Sequence, residues 1–189
     1  MSRPGVMRER PRVLADAHGE VLEIGFGTGL NLACYPPAVD RLVVVDPVEM
    51  LKKRVAKRLA AAPMPVVVEK ADGAALPFDA RRFDCVVSTW TLCTIPKIDD
   101  ALAEIRRVLK PGGRFLFLEH GLSENPRMAR WQNRVDWLQT VFIGGCHVNR
   151  RIDRLVADSG MSIERLERFE ISDMPRHMAA HYLGVATVA

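Results

Sequence analysis

A rhythm in the chain limits its fold more than any other feature. Five short runs rich in Val, Leu, Ile and Phe alternate with segments of helical periodicity: "EVLEI" (20–24), "RLVVVD" (41–46), "PVVVEK" (65–70), "FDCVVST" (83–89) and "GRFLFLEH" (113–120). Continuous apolar runs of this length suit strands buried on both faces, and their alternation with helices predicts a parallel sheet covered on both sides. "PVEMLKKRVAKRLAAA" reads as a helix that opens on proline and carries Leu51, Val55 and Leu59 on its apolar side. "IDDALAEIRRVLK" reads as another, with Ile98, Leu102, Ile105 and Leu109 on one face. Its acidic start and basic end suit the helix dipole, and Pro111 to Gly113 stop it. "PRMARWQNRVDWLQTVF" sets Trp131, Val135, Leu138 and Phe142 along a stripe expected to pack into the core, and "NRRIDRLVADSG" is a further helix closed by Gly160. The tail supplies two strands, "MSIERLERFE" and "HYLGVATVA", joined by about ten residues. That is too short for a helical crossover, so the final pair is expected to be antiparallel.

At 189 residues, 48% hydrophobic and 26% charged, the chain suits a single domain over 1–189, with 1–18 as an N-terminal extension or helix. No apolar run reaches bilayer-spanning length and the start has no apolar signal-peptide centre, which predicts a cytoplasmic protein. Cys34, Cys85, Cys93 and Cys146 form no CxxC pair, so their spacing points to neither a zinc site nor a disulfide framework, and no metal is expected. Much of the net charge of +4 sits in "LKKRVAKR" (51–58), read as a solvated helix face, with a membrane surface or nucleic acid as the alternative partner.

The first strand runs directly into glycines in "VLEIGFGTGLNL" (21–32). A dinucleotide fingerprint spaces its glycines GxGxxG, whereas Gly25, Gly27 and Gly29 give GxGxG. A P-loop requires Gly-Lys-Ser/Thr where Leu30 and Asn31 stand, so both phosphate readings weaken. Glu23 just before the turn suits the ammonium of an amino-acid ligand better than a pyrophosphate. Asp46 ends the second strand, about twenty residues past the first glycine, where an acid accepts hydrogen bonds from ribose hydroxyls. Asp72 follows the third strand, and the three acids at the carboxyl ends of neighbouring strands are expected to converge on one crevice.

The ordered set "VLEIGFGTG", "VVVDPVEML", "ADGAALPFDARRFDCVVS" and "RVLKPGGRFLFLEH" resembles the class I S-adenosylmethionine-dependent methyltransferases with a type 11 methyltransferase domain, from about Glu20 to the end. The resemblance implies a Rossmann-like doubly wound α/β sheet, mostly parallel with an antiparallel final strand, in the order 3-2-1-4-5-7-6. It implies S-adenosylmethionine as methyl donor and S-adenosylhomocysteine as product. Gly25, Gly27, Gly29 and Asn31 would lie beneath the donor, with Glu23 at its methionine end and Ser88 and Thr89 flanking that moiety. Asp46 would hold the ribose hydroxyls, Pro47 would sit beside the adenine, Asp72 would accept from the adenine amino group, and the Gly73 amide would meet a ring nitrogen. "GTGLNLACYPP", "TLCTIP", "FLEHG", "IGGC" and "HYLGVA" are similar to a methyltransferase-like family that includes mammalian thiol S-methyltransferases, which implies a thiol acceptor. Those proteins associate with membranes through an apolar N-terminal segment, and the short basic N-terminus here does not match it.

A sulfonium already activates its methyl group, so the protein mainly has to align an acceptor and exclude water, without a metal or a covalent intermediate. A thiol acceptor, with an ordinary pKa near 8.5, gains from a base that favours the thiolate. His120, ending the fifth strand, and His181, in the last strand, are the candidate catalytic bases at the crevice rim. Trp131 and Trp137 are candidates to roof an apolar acceptor, and Cys146 and His147 belong to a candidate acceptor loop. "STWTLC" stands where nucleic-acid amino-methyltransferases carry Pro-Pro and an aromatic, which argues against a nucleic-acid substrate. Three readings follow. The first is methyl transfer to a small apolar acceptor, a thiol in particular. The second is a phospholipid or quinone methyltransferase whose basic Lys52 to Arg58 face makes peripheral membrane contact. The third is a non-catalytic S-adenosylmethionine-binding module that regulates a partner. The oligomeric state is not legible at this level.

Overall fold

A computed structural model of the protein describes residues 2–48, 53–142 and 144–188. Seven strands make one sheet: β1 Gly19–Ile24, β2 Val39–Val45, β3 Val66–Glu69, β4 Phe83–Thr89, β5 Leu109–His120, β6 Ser162–Glu170 and β7 Ala180–Thr187. Five helices accompany it: α1 Pro4–Leu14, α2 Lys53–Ala60, α3 Ile98–Val108, α4 Pro126–Phe142 and α5 Ile152–Asp158. The strands lie in the order β3-β2-β1-β4-β5-β7-β6, as the resemblance implied. Pairings from β3 through β5 are parallel, and β7 runs antiparallel to both β5 and β6. The sheet therefore reverses its winding between β1 and β4, the place where loops from neighbouring strands part and leave a crevice.

Alternate residues of each central strand supply two separate cores, as the two-residue period of a strand requires. Leu22, Ile24, Val43, Val45, Val86, Phe115 and Phe117 point to one face, where Leu102 and Ile105 of α3 and Ile152 and Val156 of α5 cover them. Val21, Leu42, Val44, Cys85, Val87, Leu116 and Leu118 point to the other, beneath Val6, Val13 and Leu14 of α1 and Val55 of α2. The N-terminal segment is thus a helix that closes one face of the sheet. Leu51 and Lys52 lie outside the described residues, so the apolar side of α2 is seen only at Val55 and Leu59.

Three expectations are corrected. No full helix follows β1; a single 3-10 turn at Leu32–Cys34 makes that crossover, because Pro36 and Pro37 follow at once and cannot continue it. Helix α3 stops at Val108 rather than at the proline, since Leu109 turns to an extended conformation and already pairs with Phe83. The register then shifts before Cys85 meets Arg114, which leaves Lys110 to Gly113 as a bulge.

The third correction concerns α4, whose Trp131, Leu138 and Phe142 face solvent, Phe142 at 76% of its full exposure. The predicted stripe does not enter the core. Instead α4 is anchored by one polar side chain, Gln132, which is fully buried. Its Oε1 accepts the Ser123 N–H at 2.9 Å, and its Nε2 lies 3.0 Å from the carbonyls of Gly121, Val148 and His177. Periodicity cannot reveal such an anchor, because a single amide replaces the apolar stripe. Gln132→Leu strips these backbone groups of their partner and is expected to lower unfolding stability by about 3 kcal/mol. Urea denaturation checks the magnitude, and hydrogen exchange should place the lost protection first in α4 and in 144–148.

Candidate functional site

Gly25 follows β1 directly with φ at +78°, and a Cβ there would lie 2.0 Å from the Thr91 hydroxyl. Both the left-handed backbone and the close approach exclude any other residue. Gly27, at φ +54°, turns its N–H to Asp46 Oδ2 at 2.9 Å, while Asp46 Oδ1 accepts from the Val48 N–H at 2.9 Å. One carboxylate therefore holds the loops after β1 and β2 together, and each of its oxygens keeps a lone pair for a ligand. Asp72 does the same for the turn after β3, accepting from the Ala74 N–H at 2.9 Å.

These loops wall a crevice of about 460 Å³ at the carboxyl ends of β1 and β2. Gly25, Gly27, Asp46, Pro47, Asp72 and Gly73 line one side, and Trp90, Thr94, Ile95 and Gly144 close the other. A second chamber of about 220 Å³ shares Gly25, Gly27, Trp90 and Thr91 with it, and adds Arg10, Glu23, Phe26 and Thr89. A depression of about 430 Å³ lined by Arg81, Arg106 and Arg107 lies at the far end of the strands and contains none of the predicted residues.

Glu23 is buried and hydrogen-bonded away from open solvent, to Tyr35 Oη at 2.8 Å and Asn31 Nδ2 at 2.9 Å. Burial pushes its pKa up to about 7, against those two hydrogen bonds and the charge of Arg10. Asn31 is a hub: its amide also donates to Thr89 Oγ1 at 3.0 Å and its Oδ1 accepts from Arg10 Nη1 at 2.6 Å. Arg10 comes from α1, stacks 4.8 Å from the Trp90 ring, and keeps a buried Nε with no partner. Neither Arg10 nor Tyr35 was foreseen; a buried arginine on a helix otherwise read as an extension leaves no motif.

Ser88 and Thr89 divide their tasks. Thr89 lines the smaller chamber, but Ser88 is fully buried and donates to Glu119 Oε1 at 2.8 Å. That same oxygen accepts the N–H groups of Thr91 and Leu92, at 3.0 and 3.1 Å, so Glu119 shapes the loop after β4. Burial raises its pKa, although these donors oppose the shift. The loop begins with Trp90 at φ +52°, a strained conformation for a bulky residue that aims the indole between the two chambers.

The two predicted bases are not at the rim. His181 is buried behind Trp90: it accepts from the indole N–H through Nε2 at 3.0 Å, and its Nδ1 donates to the Ala179 carbonyl at 2.6 Å. Both nitrogens are committed to a neutral ring, and burial lowers its pKa to about 4. His120 is buried too, with Nε2 3.0 Å from Cys146 Sγ and Nδ1 unpartnered. The Cys146 thiol is held below its ordinary range by its hydrogen bonds to Cys93 and His120, while Cys93 is raised. His147 turns to Asp136 Oδ2 at 2.8 Å. Trp131 and Trp137 stay on the surface and line neither chamber.

A family model described as "Methyltransferase domain" matches residues 22–117, which is half of the chain and contains every wall of the crevice except Gly144. The chain belongs to the methyltransferase domain family. Among relatives of this methyltransferase-domain chain, the human thiol S-methyltransferase TMT1A is 29% identical over 178 residues, covering 88% of this chain and 69% of that protein. The ubiquinone/menaquinone biosynthesis C-methyltransferase UbiE of Bartonella henselae is 29% identical over 174 residues, covering 87% and 63%. The chain thus spans about two thirds of these relatives' lengths. A geranyl diphosphate methyltransferase solved in complex with S-adenosylmethionine superposes at a TM-score of 0.74 with 15% identity, over 97% of this chain and 84% of that one, and shares its fold. Among the described residues of the methyltransferase-domain chain, no helix is long and apolar enough to cross a membrane.

The neutral His181 makes a testable contribution to stability. With a folded-state pKa near 4, below the ordinary 6.5, its contribution is present above pH 6.5 and lost as pH falls towards 4. Glu23, raised towards 7, acts with the opposite sign over an overlapping range, so wild type must be compared with His181→Gln. The gap between their melting temperatures is expected to narrow between pH 6.5 and 4; a constant gap shows that the ring titrates normally.

Proposed function

We propose that this chain transfers a methyl group from S-adenosylmethionine to a small apolar acceptor, a thiol in particular. The observation that carries the reading is the pair of joined chambers beneath Gly25 and Gly27, each with polar groups of the kind one half of the donor needs. Asp46 keeps free lone pairs for ribose hydroxyls, and Pro47, Asp72 and Gly73 line the same crevice where an adenine would lie. In the smaller chamber the unpartnered Nε of Arg10 suits the methionine carboxylate, and Thr89 and Glu23, both held by Asn31, form the polar wall beside it. These residues fit the donor at both ends.

Bound there, the sulfonium supplies an activated methyl group that needs neither metal nor redox chemistry. The chain's own groups bind, orient and dry the site. Trp90 separates the chambers and is fixed by three constraints: the Glu119-held loop, the Arg10 stack and the indole hydrogen bond to His181. His181 is therefore a positioning residue, and His120 acts from behind the wall on Cys146 rather than on an acceptor. The relative named a thiol S-methyltransferase favours sulfur as the acceptor atom. A second reading, a quinone or phospholipid acceptor, draws support from the relative named for quinone biosynthesis and from the exposed Leu138, Val141 and Phe142 that lead to Gly144 at the crevice.

Asp46→Ala and Arg10→Ala are each expected to weaken S-adenosylmethionine binding by at least about tenfold, or about 1.4 kcal/mol, with the circular dichroism of the folded chain retained. Unchanged affinity by calorimetry in both variants refutes the site. An acceptor screen that detects S-adenosylhomocysteine across alkyl thiols, phenols, amines and quinones tests the reaction. Turnover with thiols alone supports the first reading, turnover with quinones the second, and tight donor binding without any turnover refutes both.

A further inference from the structure

The cysteine spacing points to no metal site, yet the fold gathers two cysteines and a histidine from three distant segments. Cys93 lies in the loop after β4, His120 ends β5 and Cys146 lies in the loop after α4. Their Sγ, Nε2 and Sγ atoms all lie within 4.8 Å of one another, and Cys146 Sγ is 3.0 Å from His120 Nε2. All three side chains are buried, with Val148 and Met178 packed around the thiols. We propose that Cys93, His120 and Cys146 form a zinc site that clamps together the two loops on one side of the crevice.

The donor chemistry selects the ion. Two thiols and an imidazole match the sulfur and nitrogen set of zinc, a borderline-soft cation, and do not suit the oxygen-seeking magnesium or calcium. Zinc sits about 2.3 Å from sulfur and about 2.0–2.1 Å from imidazole nitrogen, which sets tetrahedral donors roughly 3.5–3.8 Å apart. The Cys146–His120 pair, at 3.0 Å, lies slightly inside that separation and no pair exceeds 4.8 Å, so shifts of about an ångström or less bring the three donors onto one ion. Both sulfurs bind as thiolates, and two thiolates neutralise the dication, which permits burial of the whole centre. A metal–nitrogen bond at His120 Nε2 fixes the ring proton on Nδ1, a buried atom that has no hydrogen-bond partner among the described residues. Three protein donors leave the fourth tetrahedral position to a non-protein ligand.

The position gives the site its consequence. Thr94, next to Cys93, and Gly144, two residues before Cys146, both line the crevice. A backbone hydrogen bond from the His147 N–H to the Cys93 carbonyl, at 2.8 Å, and one from the Arg150 guanidinium to the Leu92 carbonyl already join the two loops. A metal bound to Cys93, Cys146 and the strand end would make that junction rigid. This goes beyond methyl transfer, which needs no metal, and does not depend on the identity of the acceptor.

The test uses the full chain, stripped with a chelator under reducing conditions and then given Zn²⁺ or Co²⁺. After desalting, elemental analysis is expected to find one zinc per chain, and the Co²⁺ form to show thiolate charge-transfer and tetrahedral ligand-field absorption. Cys93→Ser, Cys146→Ser and His120→Gln should each weaken metal binding by more than about tenfold. Cys34→Ser and Cys85→Ser should leave it unchanged. Because a variant in a buried cluster can fail to fold, the wild-type chain is also alkylated with and without Zn²⁺ and mapped by mass spectrometry. Zinc-dependent protection confined to Cys93 and Cys146 supports the proposal. Absence of stoichiometric metal, zinc binding unaffected by all three substitutions, zinc-independent alkylation, or a Cys93–Cys146 disulfide in the untreated protein each overturns it. Calorimetry of S-adenosylmethionine binding in the stripped chain separates this outcome from a failure of the methyltransferase reading.

Discussion

Beyond the last ladder bond of a parallel strand, a backbone N–H has no neighbour in the sheet, and the loops of this protein depend on carboxylates to take those donors. Asp46 holds Gly27 and Val48, Asp72 holds Ala74, Glu104 holds Leu76, Glu119 holds Thr91 and Leu92, and Asp136 holds Val148. A charge-assisted bond is worth roughly twice a neutral one, and it replaces an orphaned donor that would otherwise cost about 1–3 kcal/mol if buried. Carboxylates at strand ends and on α3 and α4 thereby fix irregular backbone around an open crevice. The same acids can serve a ligand because one N–H does not exhaust a carboxylate oxygen.

The N-terminal helix links that frame to the core of the opposite face. Val6, Val13 and Leu14 pack on the sheet, while Arg10 reaches through to Asn31, and Asn31 to Glu23 and Thr89. A carboxyl with a pKa near 7, beside a buried guanidinium, places a change of charge within the physiological range. Trp90 occupies a left-handed conformation at the meeting point of Arg10, His181 and the Glu119-held loop. Strain of that kind persists only where the surroundings over-determine it, and here three independent contacts do so. On the far side, α4 buries only Gln132 among its described side chains and leaves Trp137, Val141 and Phe142 in solvent. The helix is attached by hydrogen bonds to loop carbonyls, so its position follows the loops rather than the core.

The sequence alone determined the sheet and the glycine turn, and the structure determined which side chains meet. Val-rich runs and helical periods report burial, which is a local property repeated at every residue, so strand number and direction were legible. The three alternate glycines carried their own conformational requirement, and Asp46 and Asp72 stand at strand ends where topology puts them on the crevice. What spacing cannot express is a contact across the sheet: Arg10 to Asn31, His181 to Trp90, Gln132 to three carbonyls, and two cysteines 53 residues apart beside one histidine (146 − 93 = 53). Each is a polar partnership between residues that carry no periodic signal, and only the packing of distant segments brings them within a hydrogen bond. The two histidines chosen for their titration illustrate the difference. Chain position put them at strand ends on the correct side of the sheet, and the side chains that close over them turned both inward.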